Sequence, residues 1–217
     1  MKTIFVTAIT ALAIASTACG GSSGSSGSTG SGTVSGSAGG LSIPTVVDAR
    51  SFYSPSANCG ASNGSPGVSF ILVGLSSKSN SCDVVNTRKV IPSETDLTLT
   101  LLQTWVSTTA TPPTSNPVLA AGTYSIGNTA NDANGFSTHV GATLNFVDAT
   151  CSNAGAKTLA ATAGTITLTS VSAAGIKGSY TLTISGSTIS GNFDTVACGF
   201  TFQDFCSAVG ATTTCGT

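Results

Sequence analysis

Charge is what this sequence has least of. Asp, Glu, Lys and Arg make up 7% of its 217 residues, against roughly 25% in an ordinary soluble domain. Past Lys2 the basic residues are Arg50, Lys78, Arg88, Lys89, Lys157 and Lys177, and only Arg88-Lys89 are adjacent. Nucleic-acid binding needs clustered Lys and Arg to displace counterions from phosphates, so no nucleic-acid partner is expected. Attraction to an anionic lipid surface through charge is disfavoured on the same ground. Aromatic residues are also few, at 6%. That argues against an outer-membrane barrel, whose lipid-facing bands carry aromatic girdles. No apolar run approaches the roughly 20 residues that a spanning helix needs.

Histidine is scarcer still, with His139 alone in Phe136-Ser137-Thr138-His139-Val140. A Ser-His-Asp triad needs a serine held against that ring and an acid behind it. The match to G-x-S-x-G at Gly20-Gly21-Ser22-Ser23-Gly24 has no strand before it and no helix after it, as a nucleophile elbow requires. His139 is therefore read as a rim residue, and no catalytic residue is assigned. Among the eight acids, Glu94 and Asp96 are two apart and read as solvating a strand entry. Glycoside hydrolysis needs carboxylates facing a sugar from different sides, which a neighbouring pair on one strand does not supply. Asp148 and Asp194 each close a strand, where acids cap turns. Asn131, Asp132 and Asn134, in Asn131-Asp132-Ala133-Asn134-Gly135, are weak calcium candidates. They lack the spacing and closing glutamate of a calcium loop and read first as a turn. No metal and no cofactor are expected.

What the chain does have begins at its start. Lys2 precedes the apolar stretch Ile4–Ala15, followed by Ser16-Thr17-Ala18-Cys19. A basic start, a short apolar middle and small residues at a cut site make a secretory signal. The small residues before Cys19 resemble the lipobox of bacterial lipoproteins, with Ser16 where leucine is usual. That resemblance implies cleavage after residue 18 and lipid, palmitate included, on Cys19. A soluble secreted protein cut near Ala18 is the plainer alternative. From Gly20 to about Gly40 the chain is almost wholly Gly, Ser and Thr. Such a composition has nothing to bury and reads as a flexible tether. The expected organisation is a signal over 1–18, lipidated Cys19 with a linker over 19–40, and one β domain over 41–217.

Cysteine usage agrees with export. Besides Cys19 there are six, Cys59, Cys82, Cys151, Cys198, Cys206 and Cys215. An even number in an exported chain points to disulfides, although six cysteines allow 15 connectivities. Nearness in sequence favours Cys59–Cys82, Cys151–Cys198 and Cys206–Cys215, with Cys198 and Cys206 open to exchange. Zinc sites favour cysteines two to four apart or paired with histidine, and neither occurs.

The folded part reads as β throughout, with no 3.6-residue apolar period. Strands are expected at Thr45–Tyr53, Val68–Ser76, Asp96–Trp105, Gly122–Ile126, Val140–Asp148, Thr165–Val171, Ile176–Ser185 and Thr188–Val196. A short one is possible at Cys82–Val85, and Phe200–Ala208 is ambiguous between strand and helical turn. Three prolines make Thr108–Pro117 an exposed loop. Leu97, Leu99, Leu101 and Trp105 share one parity, and Leu102 breaks it, which suggests cover on both sides.

The clearest element is a hairpin. Ile176, Gly178, Tyr180, Leu182 and Ile184 alternate with polar residues, the period of a half-buried strand. A type II′ turn at Gly186-Ser187 would set Ile184 opposite Ile189, Leu182 opposite Gly191 and Tyr180 opposite Phe193. Eight or nine strands joined by short turns point to an antiparallel β-sandwich, with a closed barrel as the alternative.

Gly164-Thr165-Ile166-Thr167-Leu168-Thr169-Ser170-Val171, Gly178-Ser179-Tyr180 and Ser190-Gly191-Asn192-Phe193-Asp194, with Cys198 shortly after, carry a family resemblance. Together with the lipobox and linker, this last third of the chain resembles uncharacterised β-rich lipoproteins of myxobacteria and related δ-proteobacteria. The resemblance implies a β fold and an address in the bacterial envelope, at the outer membrane. It brings no catalytic residue. Three functions follow as expectations: a non-catalytic structural or interaction lipoprotein, a glycan or small-ligand binding module, and, last, a hydrolase. For the second, Tyr53, Trp105 and Phe136 are the candidate contacts, provided that they cluster outside the core.

Overall fold

The computed structural model of the protein describes residues 29–57, 67–82, 89–105, 119–129, 136–151, 156–199 and 214–215. Regular structure there is all strand, without a helix. In chain order the strands are β1 (Ser31–Gly32), β2 (Asp48–Ala57), β3 (Gly67–Ser76), β4 (Lys89–Val90), β5 (Thr95–Trp105), β6 (Gly122–Ser125) and β7 (Gly127–Thr129). They continue as β8 (Phe136–Phe146), β9 (Lys157–Ser172), β10 (Gly175–Ile184), β11 (Ser187–Asp194), β12 (Val196–Ala197) and β13 (Thr214–Cys215).

The all-β expectation holds, but the architecture is one curled sheet, not two stacked ones. The strands run β1-β11-β10-β9-β8-β5-β3-β2-β12 across it, and the sheet rolls into a half-barrel. Its corner is β9. The first four residues of this long strand pair with the end of β8, over Thr143–Phe146. From Ala161 onward β9 pairs instead with β10. The two neighbours diverge past that point, and β6 and β7 fill the gap by pairing with β9 and β8 respectively. One strand thus belongs to both halves, which a sandwich of separate sheets does not allow.

The sheet is also mixed where an antiparallel one was expected. After β11 the chain turns at Thr195, and β12 runs parallel to β2. Thr195 holds that crossing: its hydroxyl donates to Ser51 Oγ or the Ile176 carbonyl, 2.7 and 2.9 Å away. A second parallel pair, β13 with β4, forms a separate two-stranded sheet.

Alternation explains the core. In β3 and β5 the odd-numbered residues Ile71, Val73, Leu75, Leu97, Leu99 and Leu101 point inward and are sealed from solvent. From the other half Ile166, Leu168, Tyr180, Leu182, Ile189 and Phe193 meet them in a single cluster. Leu102 lies on the opposite face and is half-buried, so β5 is indeed covered on both sides.

The hairpin keeps its predicted face but not its predicted register. Leu182 stands opposite Ile189, Tyr180 opposite Gly191 and Gly178 opposite Phe193. The turn is Ser185-Gly186, both in the left-handed region at φ 50° and 77°. That is the type I′ requirement, and it moves the pairing by two residues. A shift of two preserves the face, so Tyr180 and Phe193 still stack, their rings 6.4 Å apart.

The linker ends earlier than its composition suggested. Residues 29–41 belong to the fold: β1 pairs with β11, Ser35 bridges Ser190, and Ala38 bridges Leu41. Ala38 and Leu41 are buried in the core. Gly191 explains how so poor a segment docks. A Cβ there would stand 1.9 Å from the Thr33 carbonyl oxygen and 2.6 Å from Tyr180 Oη. Absence of a side chain lets the backbones touch, and Tyr180 then donates to that carbonyl at 2.8 Å.

Cys82 is bonded to Cys198, 116 residues away. This overturns Cys59–Cys82 and Cys151–Cys198 together. Nearness in sequence failed because β2 gathers both cysteines: Ser81 docks on Asp48, and the Cys198 amide donates to the Ser51 carbonyl at 2.9 Å. Cys151 is also disulfide-bonded. Cys19, Cys59 and Cys206, the side chain of Cys215, the 1–18 signal, the Thr108–Pro117 loop and Phe200–Ala208 lie outside the described residues.

Candidate functional site: a buried carboxyl cluster

The most unusual chemistry lies on the outer face of β2, β3, β5 and β8. Flush registers align Asp48, Ser76, Asp96 and Asn145 in one row across the four strands. Glu94 precedes β5 with the same parity, so its carboxyl reaches the same end of the face. The side chains of Asp48 and Glu94 are fully buried, and those of Asp96 and Asn145 nearly so. The reading of Glu94 and Asp96 as a solvated strand entry is therefore corrected: tertiary packing covers them.

Each acid is held differently. Arg50 pairs with Asp48 Oδ1, while Ser81 donates its amide and hydroxyl to Asp48 Oδ2 at 3.1 and 2.8 Å. Asp96 accepts from the Thr98 hydroxyl at 2.8 Å and from Asn145 Nδ2 at 3.1 Å. Glu94 Oε1 accepts from the Ser76 hydroxyl. Glu94 Oε2 and Asn145 Oδ1 are buried and have no hydrogen-bond partner among the described residues.

Burying an ionised carboxylate without a partner is costly, so such a group takes up a proton instead. Burial pushes Glu94 up to about 7, aided by the negative charges of Asp96 and Asp48 and opposed by Ser76 and Lys78. Burial likewise raises Asp96 to about 6 against its two hydrogen-bond donors. The two carboxyls therefore take up protons below about pH 7 and 6, well above the range of exposed acids. Among the described residues no group of three or more His, Cys, Asp or Glu is placed to hold a metal ion.

The remaining candidates do not converge. His139 is half-buried opposite Leu102 and Asn128, and burial lowers its pKa. Tyr53 packs against the core from β2. Phe136 is half-buried at the start of β8, opposite Trp105 in the backbone register. Tyr53 shares a row with Ile71, Leu101 and Val140. It lies three strand spacings from β8, about 14 Å, and four residues along from Phe136. An exposed aromatic platform combining those two is thus not formed, and the Trp105 side chain lies outside the described residues. So do Asn131, Asp132 and Asn134. Asp148 caps its turn as expected, accepting from the Thr150 amide and hydroxyl at 2.9 Å each. Asp194 instead pairs with Lys177 at 2.7 Å.

One surface escaped the sequence reading as a unit. Thr33, Asn192, Ser179, Thr167 and Thr123 align across β1, β11, β10, β9 and β6 on the outer face of the other half. All but half-buried Thr167 are exposed. Its signal was the Thr-x-Thr spacing of Thr165, Thr167 and Thr169. No family model, curated protein or solved structure matches the chain.

Proposed function

We propose that this chain is a bacterial envelope lipoprotein, lipidated on Cys19 and held at the outer membrane, with a non-catalytic structural or interaction domain. The observation that carries the reading is the sequence Ser16-Thr17-Ala18-Cys19 behind a short apolar stretch. Disulfide bonding of Cys82, Cys151 and Cys198 agrees with export to an oxidising compartment. The non-catalytic part rests on the sealed carboxyls and on the separation of His139 from them. Mass spectrometry of the mature N-terminal peptide tests the anchor. A diacylglyceryl thioether on Cys19 is expected, and a free N-terminal thiol or a cut elsewhere would overturn it.

A second reading, binding of a neutral glycan, is favoured by the hydroxyl-lined face of β1, β11, β10, β9 and β6. Hydroxyl and amide groups repeat there at strand spacing, about 4.8 Å, with no net charge. Retention of the domain on insoluble polysaccharides, abolished by Thr181→Arg at the centre of that face, is the outcome this reading requires.

A further inference from the structure

We infer that the hydroxyl-rich half of the sheet carries two parallel rails that hold one extended, uncharged polysaccharide chain, laid across the strands and not along them. The inference rests on the glycan reading proposed above and adds to it a direction, a minimum length and a single-chain ligand.

The row that runs from Thr33 to Thr123 has a second row beside it. Ser35 bridges Ser190, Ser190 stands opposite Thr181, Thr181 opposite Thr165, and Thr165 opposite Ser125. Each member of the second row is two residues from a member of the first, so alternation turns both rows to the same outer side. Between them Tyr180 and Ile166 point inward and are buried, while Val34 and Tyr124 pack against the core. Thr167 and Ser190 are half-buried, and the other members of the two rows are exposed. The rows lie about 7 Å apart, and each spans four strand spacings, about 19 Å.

Neither row contains an ionisable side chain or an aromatic ring. One row further along, Lys177 and Asp194 bind each other at 2.7 Å and leave no excess charge. The complementary ligand is therefore uncharged, because an anionic polymer would give up water here with no unpaired cation to replace it. Without a ring to stack on, each sugar is held by hydrogen bonds alone, and each such bond replaces bonds to water and nets little. Affinity must then accumulate over successive sugars. Side chains along a row repeat at about 4.8 Å, close to the length of one sugar in an extended chain, and the two rows meet the two edges of that chain. Along a single strand the outward side chains are about 7 Å apart, out of step with the sugars. Part of the array is already ordered. Thr123 Oγ1 and Thr167 Oγ1 are 3.0 Å apart, and the Asn192 amide donates to Thr33 Oγ1 at 3.2 Å. Such order lowers the entropy that binding has to remove. The sheet rolls into a half-barrel, and neighbouring strands in a sheet rotate by about 20–25°. A flat crystal face touches such a surface on only a strand or two, whereas a single flexible chain follows it.

The test titrates the full chain, in detergent micelles, with uncharged β-1,4-linked oligomers of glucose, mannose and xylose from two to six sugars long, and reads amide NMR shifts. Binding should tighten several-fold from the disaccharide to the hexasaccharide, with shifts at both Thr33 and Thr123. Ser35→Arg and Ser125→Arg, at the two ends of the second row, should each weaken the hexasaccharide several-fold. Thr188→Arg, exposed on the same face but outside both rows, should leave it unchanged. Sensitivity to Thr188→Arg without sensitivity to Ser125→Arg would mean a chain lying along β11 and overturns the direction. Affinity that levels off at the disaccharide overturns the rails. A protein retained on insoluble neutral polysaccharide that binds none of the oligomers overturns the single-chain inference alone. A protein that is neither retained nor bound by any oligomer overturns the glycan reading and this inference with it.

Discussion

The two halves of the curled sheet solve the same problem in opposite ways. In the half made of β9, β10, β11 and β1, one face is core and the other turns Thr, Ser and Asn to water. In the half made of β2, β3, β5 and β8, both faces are covered, and the outer one buries Phe52, Phe70, Thr98 and Asp96. A chain with 7% charged residues cannot dress two exposed faces with ions. It uses β-favouring hydroxyls on one half and buries three acids, Asp48, Glu94 and Asp96, in the other. The wet face is therefore dressed mainly with neutral side chains, while the carboxyls with raised pKa sit inside.

The largest expected effect comes from breaking the seam between the halves. Cys82–Cys198 closes a loop of over a hundred residues between the end of β3 and the strand that crosses from β11 to β2. Removing both sulfurs in Cys82→Ser/Cys198→Ser should cost about 2–5 kcal/mol. Urea unfolding under non-reducing conditions measures it, and an unchanged midpoint would show that the halves hold together without the bond.

The next effect belongs to the buried half alone. Unfolded Glu94 and Asp96 release their protons near 4.5 and 3.8, whereas the folded groups keep them to about 7 and 6. Between those values the folded state binds more protons, so raising the pH favours unfolding. The stability these carboxyls contribute is present in full below about pH 4 and is lost as pH rises through 6 to 7. Across that window the change is on the order of a few kcal/mol. Glu94→Gln imitates the protonated acid, so it should match the wild type at pH 5 and melt higher at pH 8. Melting curves at the two pH values decide this, and equal curves at pH 8 would mean that Glu94 is not the group that holds the proton.

A smaller effect is expected where the exposed half takes in the N-terminal strand. Gly191→Ala drives a methyl into the Thr33 carbonyl and the Tyr180 hydroxyl. Overpacking of this kind costs about 1–3 kcal/mol. Here it should be released by lifting β1 away, so amide exchange at Thr33 and Ser35 should quicken well beyond that of β10. Uniform exchange across both strands would instead make β1 inseparable from the sheet.

The exposed half was also the legible one. Period-two alternation located β10 and β11 and the face on which Tyr180 and Phe193 meet, because each strand there has one wet side. Within that hairpin only the turn was misplaced, since a glycine next to a serine fits type II′ or type I′ depending on which residue leads. In the covered half, strands were found from their β-branched and leucine content, but the environment of Glu94 and Asp96 was not. An acid at a strand entry is normally solvated, and what buries it comes from distant segments. Cys82–Cys198 was hidden for the same reason, being set by strand order and not by spacing. The docking of residues 29–41 was hidden by composition: glycine and serine read as tether, yet glycine is also what close backbone contact requires.

The faintest expected effect tests whether charge matters at all on the hydroxyl-lined half. Lys177 and Asp194 face each other across β10 and β11 at 2.7 Å, with side chains 58% and 51% exposed. At such exposure water competes for both ions, and holding two side chains in one geometry costs entropy. Pairs of this kind contribute about 0.2–1 kcal/mol. Lys177→Ala should therefore lie within about 0.5 kcal/mol of the wild type, with a difference that shrinks in high salt. A loss above about 1 kcal/mol that survives salt would make the pair a structural clamp on the edge where β1 enters. Charge would then be working on the outer surface too, and the division of labour between a neutral wet half and an ionisable dry half would fail at its most exposed point.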